Sequence, residues 1–211
     1  MDIRESWNAL PAGARAALEE QWAGLASGGL PCGSSIVDAA GVVVARGRNH
    51  AYDPVTGEHR LERSRIAHAE LNTLAQLDTD IDSSQLTLFT TEHPCSMCAA
   101  ALSFTGIGRV VYIADDPSDD ATAQQVSATR GGVIYQRLGS VEWAIVATIM
   151  FLYVGAELRG AADGNLVAAT AQNPALGALV LAEVTSGELG VAARNGVALP
   201  DAFAKVWELF S

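Results

Sequence analysis

The 211 residues carry 13 Lys and Arg against 24 Asp and Glu, a formal charge of −11. That balance argues against a nucleic-acid backbone or an anionic membrane surface as partner, since both demand a basic face. Nearly half of the residues are apolar (49%) and only 18% are charged, so the chain has enough apolar material for a buried core and does not read as disordered.

In chain order, residues 11–27 predict a helix, with Pro11 in its first turn and Gly28-Gly29 as its stop. Residues 34–38 and 42–46 are two short apolar runs separated by Ala39-Ala40-Gly41, a hairpin signal. Residues 47–65 form a long polar loop, where Asn49, His50, His59 and Arg60 read as turn or surface residues. A helix over 66–77, a strand over 86–91, a short helix over 95–104 and a strand over 109–113 follow. Then come an acidic turn over 115–120, a helix over 121–130, a strand over 133–138 and a long apolar helix over 141–158. Strands alternating with helices argue for a layered α/β sheet. Composition shifts near residue 160 toward Ala, Gly, Leu and Val, which sets a 1–160 domain apart from a 161–211 helical extension. The longest uncharged apolar run, residues 143–156, is 14 residues. A membrane span needs about 20, so a buried helix is expected. The odd count of three cysteines argues against a disulfide framework, and the opening Met1-Asp2-Ile3-Arg4-Glu5 lacks a signal peptide's apolar core. A cytoplasmic protein is expected.

Two segments concentrate chemistry: His68-Ala69-Glu70 and Pro94-Cys95-Ser96-Met97-Cys98. Each falls at the expected start of a helix. Cys95 and Cys98, three apart, share one helix face, and a helix N-terminus favours thiolate over thiol. Two thiolates and an imidazole suit zinc, and three protein ligands leave one tetrahedral position open, the pattern of a catalytic site. Glu70, two residues beyond His68, is better placed to move protons than to ligate. Cys32 stands far off in sequence with no paired ligand nearby.

In this order, His-x-Glu followed by Pro-Cys-x-x-Cys is the signature of zinc-dependent base deaminases. From about residue 11 to 158 the chain resembles the cytidine deaminase-like superfamily, in the branch holding guanine deaminases, bacterial cytosine- and adenosine-type deaminases and tRNA adenosine deaminases. The resemblance implies a three-layer α-β-α sandwich with a five-stranded mixed sheet, matching the five predicted strands. It implies zinc on His68, Cys95 and Cys98, proton shuttling by Glu70, and a hydrogen bond from Asn49 to the ring being deaminated. The backbone N–H groups of Ala69 and Cys95 are candidate contacts to the ring or the attacking oxygen. The acidic turn Asp115-Asp116 follows the fourth strand, at an edge where relatives place a substrate-contacting carboxylate, and it reads equally as a solvated turn. The chain departs from the family at His93, where many relatives carry Glu before the Pro-Cys; His93 reads as an orienting residue or as a substrate contact. The family and the apolar 143–156 helix imply a homodimer. Phe203, Trp207 and Phe210 read either as ordinary core or as an aromatic lid.

The expected activity is hydrolysis of an exocyclic amino group on a small purine, pyrimidine or related ring. A tRNA adenosine deaminase is the alternative, disfavoured by charge: residues 141–211 hold Arg159, Arg194 and Lys205 against seven Asp or Glu. A zinc-stabilised binding or assembly protein is the third reading, and it leaves Glu70 without a use.

Overall fold

The structure, a computed structural model, describes residues 1–53, 55–58, 61–116 and 132–210. The helix expected over 121–130, the turn beyond Asp116, His59 and Arg60 lie outside the described residues.

A short helix absent from the sequence reading opens the chain: α1 (Ile3–Ala9), capped by the Asp2 carboxylate on the Arg4 N–H. Helix α2 (Ala12–Ser27) ends on Gly28, whose φ of 73° is the left-handed stop that glycine favours. Strands β1 (Gly33–Val37) and β2 (Val43–Arg48) form the expected antiparallel hairpin. Its turn is held by the Asp38 carboxylate, which accepts from the Ala40 and Val42 N–H groups. Then follow α3 (Ala69–Leu74), β3 (Thr87–Glu92), α4 (Ser96–Thr105), β4 (Arg109–Ala114), β5 (Ile134–Arg137) and α5 (Val141–Arg159). Helix α3 is shorter than the 66–77 expected, because His68 is extended (φ −70°, ψ 157°) and acts as its N-cap.

The sheet has five strands in the order β2-β1-β3-β4-β5. β1 pairs antiparallel with β2 and β3, while β3, β4 and β5 are mutually parallel, so the sheet is mixed. Period-two alternation sends its side chains to two separate cores. Val37, Phe89, Val111 and Ile113 face α2 and α5 on one side. Ile36, Leu88 and Val110, their neighbours in register, face the α3 and α4 side with Leu74 and Leu102. The result is the three-layer α-β-α sandwich.

Beyond α5 run α6 (Gly164–Gln172), α7 (Pro174–Ser186), α8 (Glu188–Arg194), α9 (Leu199–Ala202) and α10 (Ala204–Trp207). Their Val180, Leu189, Phe203 and Trp207 join the larger core. Trp207 stacks on Trp143 at 5.1 Å, Trp143 on Trp7 at 5.2 Å, and Phe203 meets Trp22 edge-on at 6.0 Å. The aromatic residues of the extension are thus core, not lid; Phe210 packs on Trp207.

Helix α5 is long and apolar enough to cross a membrane, yet Trp143, Val146, Ile149 and Met150 on it are wholly buried inside the chain. Its apolar stretch is consumed by this core and gives no argument for a dimer.

Candidate active site

Two helix N-termini converge on one spot. The sheet delivers one: β3 ends at Glu92, the His93 N–H extends the parallel pairing by bonding the Ala114 C=O at 2.8 Å, and Cys95 then caps α4. The other comes from the loop before α3, where the Ala67 C=O accepts the His50 N–H at 2.9 Å and His68 caps the helix. Both caps therefore present their side chains where unpaired helix N–H groups and helix dipoles favour negative charge.

His68 Nδ1 lies 3.7 Å from Cys95 Sγ and 3.6 Å from Cys98 Sγ, and the three donor atoms are all within 4.8 Å of one another. Tetrahedral zinc bonded at about 2.3 Å to sulfur and about 2.0 Å to nitrogen spaces such atoms about 3.5 Å apart, so the donor set fits the ion without rearrangement. The thiols are electrostatically unlike. The hydrogen bond from Cys98, helped by His68, pulls Cys95 down to about 4. The same bond to Cys95, with burial, pushes Cys98 up. The hydrogen bond to Cys95 also raises His68.

Glu70, in the first turn of α3, is buried (7% exposed). The Thr90 hydroxyl donates to its Oε1 at 3.1 Å, and Cys98 Sγ stands 3.4 Å from Oε2. Burial lifts its carboxyl above the usual range, which suits a group that must take a proton and return it near neutral pH.

The remaining expected residues divide. Asn49 is buried directly after β2; its N–H bonds the Cys32 C=O at 2.9 Å and its side-chain oxygen accepts the Ala51 N–H at 2.9 Å. Ala69 is wholly buried at the first position of α3, where a backbone N–H has no acceptor within the helix. The His93 ring sits edge-on to Tyr112 at 4.7 Å and 6.0 Å from Tyr135. Asp115 is turned away: its carboxylate pairs with Arg137 at 3.2 Å on the surface, and its side chain is 65% exposed. The charge of its neighbour Asp116 adds a minor effect beside burial, the main cause that raises Cys32 and Glu92.

Sequence reasoning missed three features. His50 is buried, not a surface residue; its Nδ1 is 2.9 Å from Asp53, which also pairs with Arg48 at 2.5 Å. Cys32 is not remote: its C=O accepts the Asn49 N–H at 2.9 Å, and burial with the charges of Glu92 and Glu70 raises its thiol. Glu92 is a buried acid held well above the usual carboxylate range by burial. Its signal in the sequence was an acid closing a strand of otherwise apolar and Thr residues.

This sheet and metal-donor set define an α/β protein with a candidate zinc site. Residues 11–114 match the model of the cytidine and deoxycytidylate deaminase zinc-binding region. A cytosine deaminase of Candida albicans is 31% identical over 101 residues, 47% of this chain and 62% of the relative. A tRNA-specific adenosine deaminase of Agrobacterium fabrum is 38% identical over 63 residues, 28% of this chain and 41% of the relative. The chain thus spans less than two thirds of either relative's length. A solved structure from work on A-to-I editing by tRNA:A34 deaminases is 28% identical with a TM-score of 0.45, covering 58% of this chain and 94% of its own.

Proposed function

We propose that the protein hydrolyses an exocyclic amino group of a purine, pyrimidine or related ring to a carbonyl, releasing ammonia. The observation that carries this reading is Glu70, a buried acid anchored by Thr90 and 3.4 Å from Cys98 Sγ, at the edge of the His68, Cys95 and Cys98 set. A purely structural metal site has no use for a carboxyl there.

Zinc, when bound, supplies a Lewis acid that brings proton loss from a water into the neutral range. Glu70 accepts the proton of the attacking water and passes it to a ring nitrogen. It then carries the second proton to the exocyclic nitrogen as the C–N bond breaks, so the amine leaves as ammonia and the ring keeps the water oxygen. Asn49 and the Ala69 N–H orient the ring, and His93, packed on Tyr112, forms part of the wall. Residues 1–160 serve as the deaminase domain, with 161–211 a helical extension packed on it.

The relatives' names divide between a free base and a tRNA adenosine. The −11 charge favours a small ring. The test is ammonia release by zinc-loaded protein from aminopurines, aminopyrimidines, their nucleosides and a tRNA arm, with Glu70→Gln as control. Release from one or two small compounds, reduced about 10²- to 10⁴-fold in the control, is expected. Activity unchanged in Glu70→Gln refutes the reading, and turnover of tRNA alone refutes the small-ring substrate.

A further inference from the structure

Glu92 is the second buried acid of this region, and it touches none of the three metal donors in the hydrogen bonds it makes. Its Oε1 accepts from Gln21 Nε2 at 2.8 Å, and its Oε2 accepts from the Thr91 hydroxyl. Gln21 is wholly buried on α2. The same amide nitrogen of Gln21 lies 3.0 Å from the Pro31 C=O and 3.0 Å from the Ala147 C=O of α5. Thr91 in turn accepts the Gly33 N–H at 3.1 Å. Both neighbours of Cys32 are therefore tied to Gln21, Thr91 and Glu92, while the Cys32 C=O itself receives the Asn49 N–H at 2.9 Å.

A leucine would fill such a place without burying polar atoms. A carboxyl and a carboxamide in its stead carry a desolvation penalty that only their mutual bonds offset. One atom even goes unserved: Gln21 Oε1 is buried with no hydrogen-bond partner among the described residues. Closed polar networks of this kind trade stability for one rigid arrangement. What this one makes rigid is the strip Pro31-Cys32-Gly33, and through it Asn49.

We infer that the Glu92–Gln21 pair is a positioning device of the substrate pocket, holding residues 31–33 so that Cys32 sets the place of Asn49. The inference rests on the proposed role of Asn49 in binding the ring. Glu92 moves no proton of the reaction; it acts through Gln21, Thr91 and the strip they hold.

The test compares Glu92→Leu, Gln21→Leu and Glu92→Gln in zinc-loaded protein. Amide exchange at Gly33 and Asn49 is read first, because it needs no substrate; KM and kcat are then read on a compound the wild type deaminates. Both leucine variants should exchange about tenfold faster at these two amides with zinc stoichiometry intact. They should raise KM about tenfold while kcat stays within about threefold. Glu92→Gln keeps the same shape and, through its carbonyl oxygen, the bond from Gln21, while its NH2 donates to the Thr91 oxygen in place of accepting from it; it should restore most of these values. Unchanged exchange in the leucine variants overturns the inference. So does a kcat loss of about 100-fold in Glu92→Gln at constant KM, which would put Glu92 in proton transfer. Should Glu92→Leu not fold, Gln21→Leu, which keeps the acid, carries the test. If the wild type releases no ammonia from any compound, the deaminase reading fails while the exchange measurement still decides this one.

Discussion

Gly33 opens β1 against α2, and replacing it with alanine tests how closely the pocket wall is built on that helix. A Cβ at this position would lie 2.1 Å from the Ala17 carbonyl oxygen, 2.5 Å from the Gln21 nitrogen and 2.9 Å from Glu20 Cβ. The first two are backbone atoms of α2, so no side-chain rotation relieves them; the strand and the helix must part. Overpacking costs about 1–3 kcal/mol, and backbone neighbours place this case near the top, about 3 kcal/mol. For a chain of this size about 2–4 °C is lost per kcal/mol, which gives a fall in Tm of about 6–12 °C. Thermal unfolding followed by circular dichroism on zinc-saturated protein measures it. Gly139→Ala is the control: a Cβ there meets nothing within 4 Å, and the substitution should be neutral or stabilising by up to about 1 kcal/mol. A Gly33→Ala Tm within about 2 °C of wild type would refute the close approach.

Cys98→Ser should reduce bound zinc from about one per chain to a small fraction, and a chelator should lower the Tm of the wild type but not of this variant. Trp207→Ala, which empties the stack on Trp143, should cost about 3–5 kcal/mol of stability; a raised KM with unchanged Tm would return this residue to the role of a lid. Asp163 caps α6 through the Leu166 N–H at 2.9 Å and pairs with Arg159 Nε at 2.8 Å. Burial alone would raise its carboxyl, yet these partners outweigh burial and lower it. Its stabilisation is therefore present above its unfolded value of about 4 and is lost as pH falls through the lower folded one. Asp163→Ala should cost about 1–2 kcal/mol at pH 7, and the difference from wild type should close in acid unfolding curves below about pH 4; a gap independent of pH would contradict that assignment.

The metal donors were readable from sequence because their chemistry is tied to spacing: the Cys-x-x-Cys pair falls on one helix turn and His68 on another helix's cap. The hairpin and the parallel strands were readable because period-two apolar runs alternate with helix-period ones. The rest depends on contacts between distant segments. The sequence does not show that α2 crosses under β1, so Gln21 could not be matched to Glu92, 71 residues on. Nor could His50 be seen as buried, because its burial comes from Asp53 and from the backbone of Ala67. Asp115 pairs with Arg137, a partner that only the pairing of β4 with β5 brings near. α1 was missed because seven residues with two apolar anchors carry almost no periodicity; it folds because Trp7 has Trp143 to lie on.

The two faces of the sheet are unequally backed. Among the described residues the core under α2 and α5 gathers 31 buried apolar side chains, while the one under α3 and α4 gathers eight. The helices that carry His68, Cys95 and Cys98 lie on the thin side. Opening free energy follows the apolar contact that must be broken, so this layer lifts from the sheet at lower cost than the other. Zinc held by His68, Cys95 and Cys98 would tie the start of α3 to α4. It would add cohesion on the side of the sheet where these eight side chains supply little.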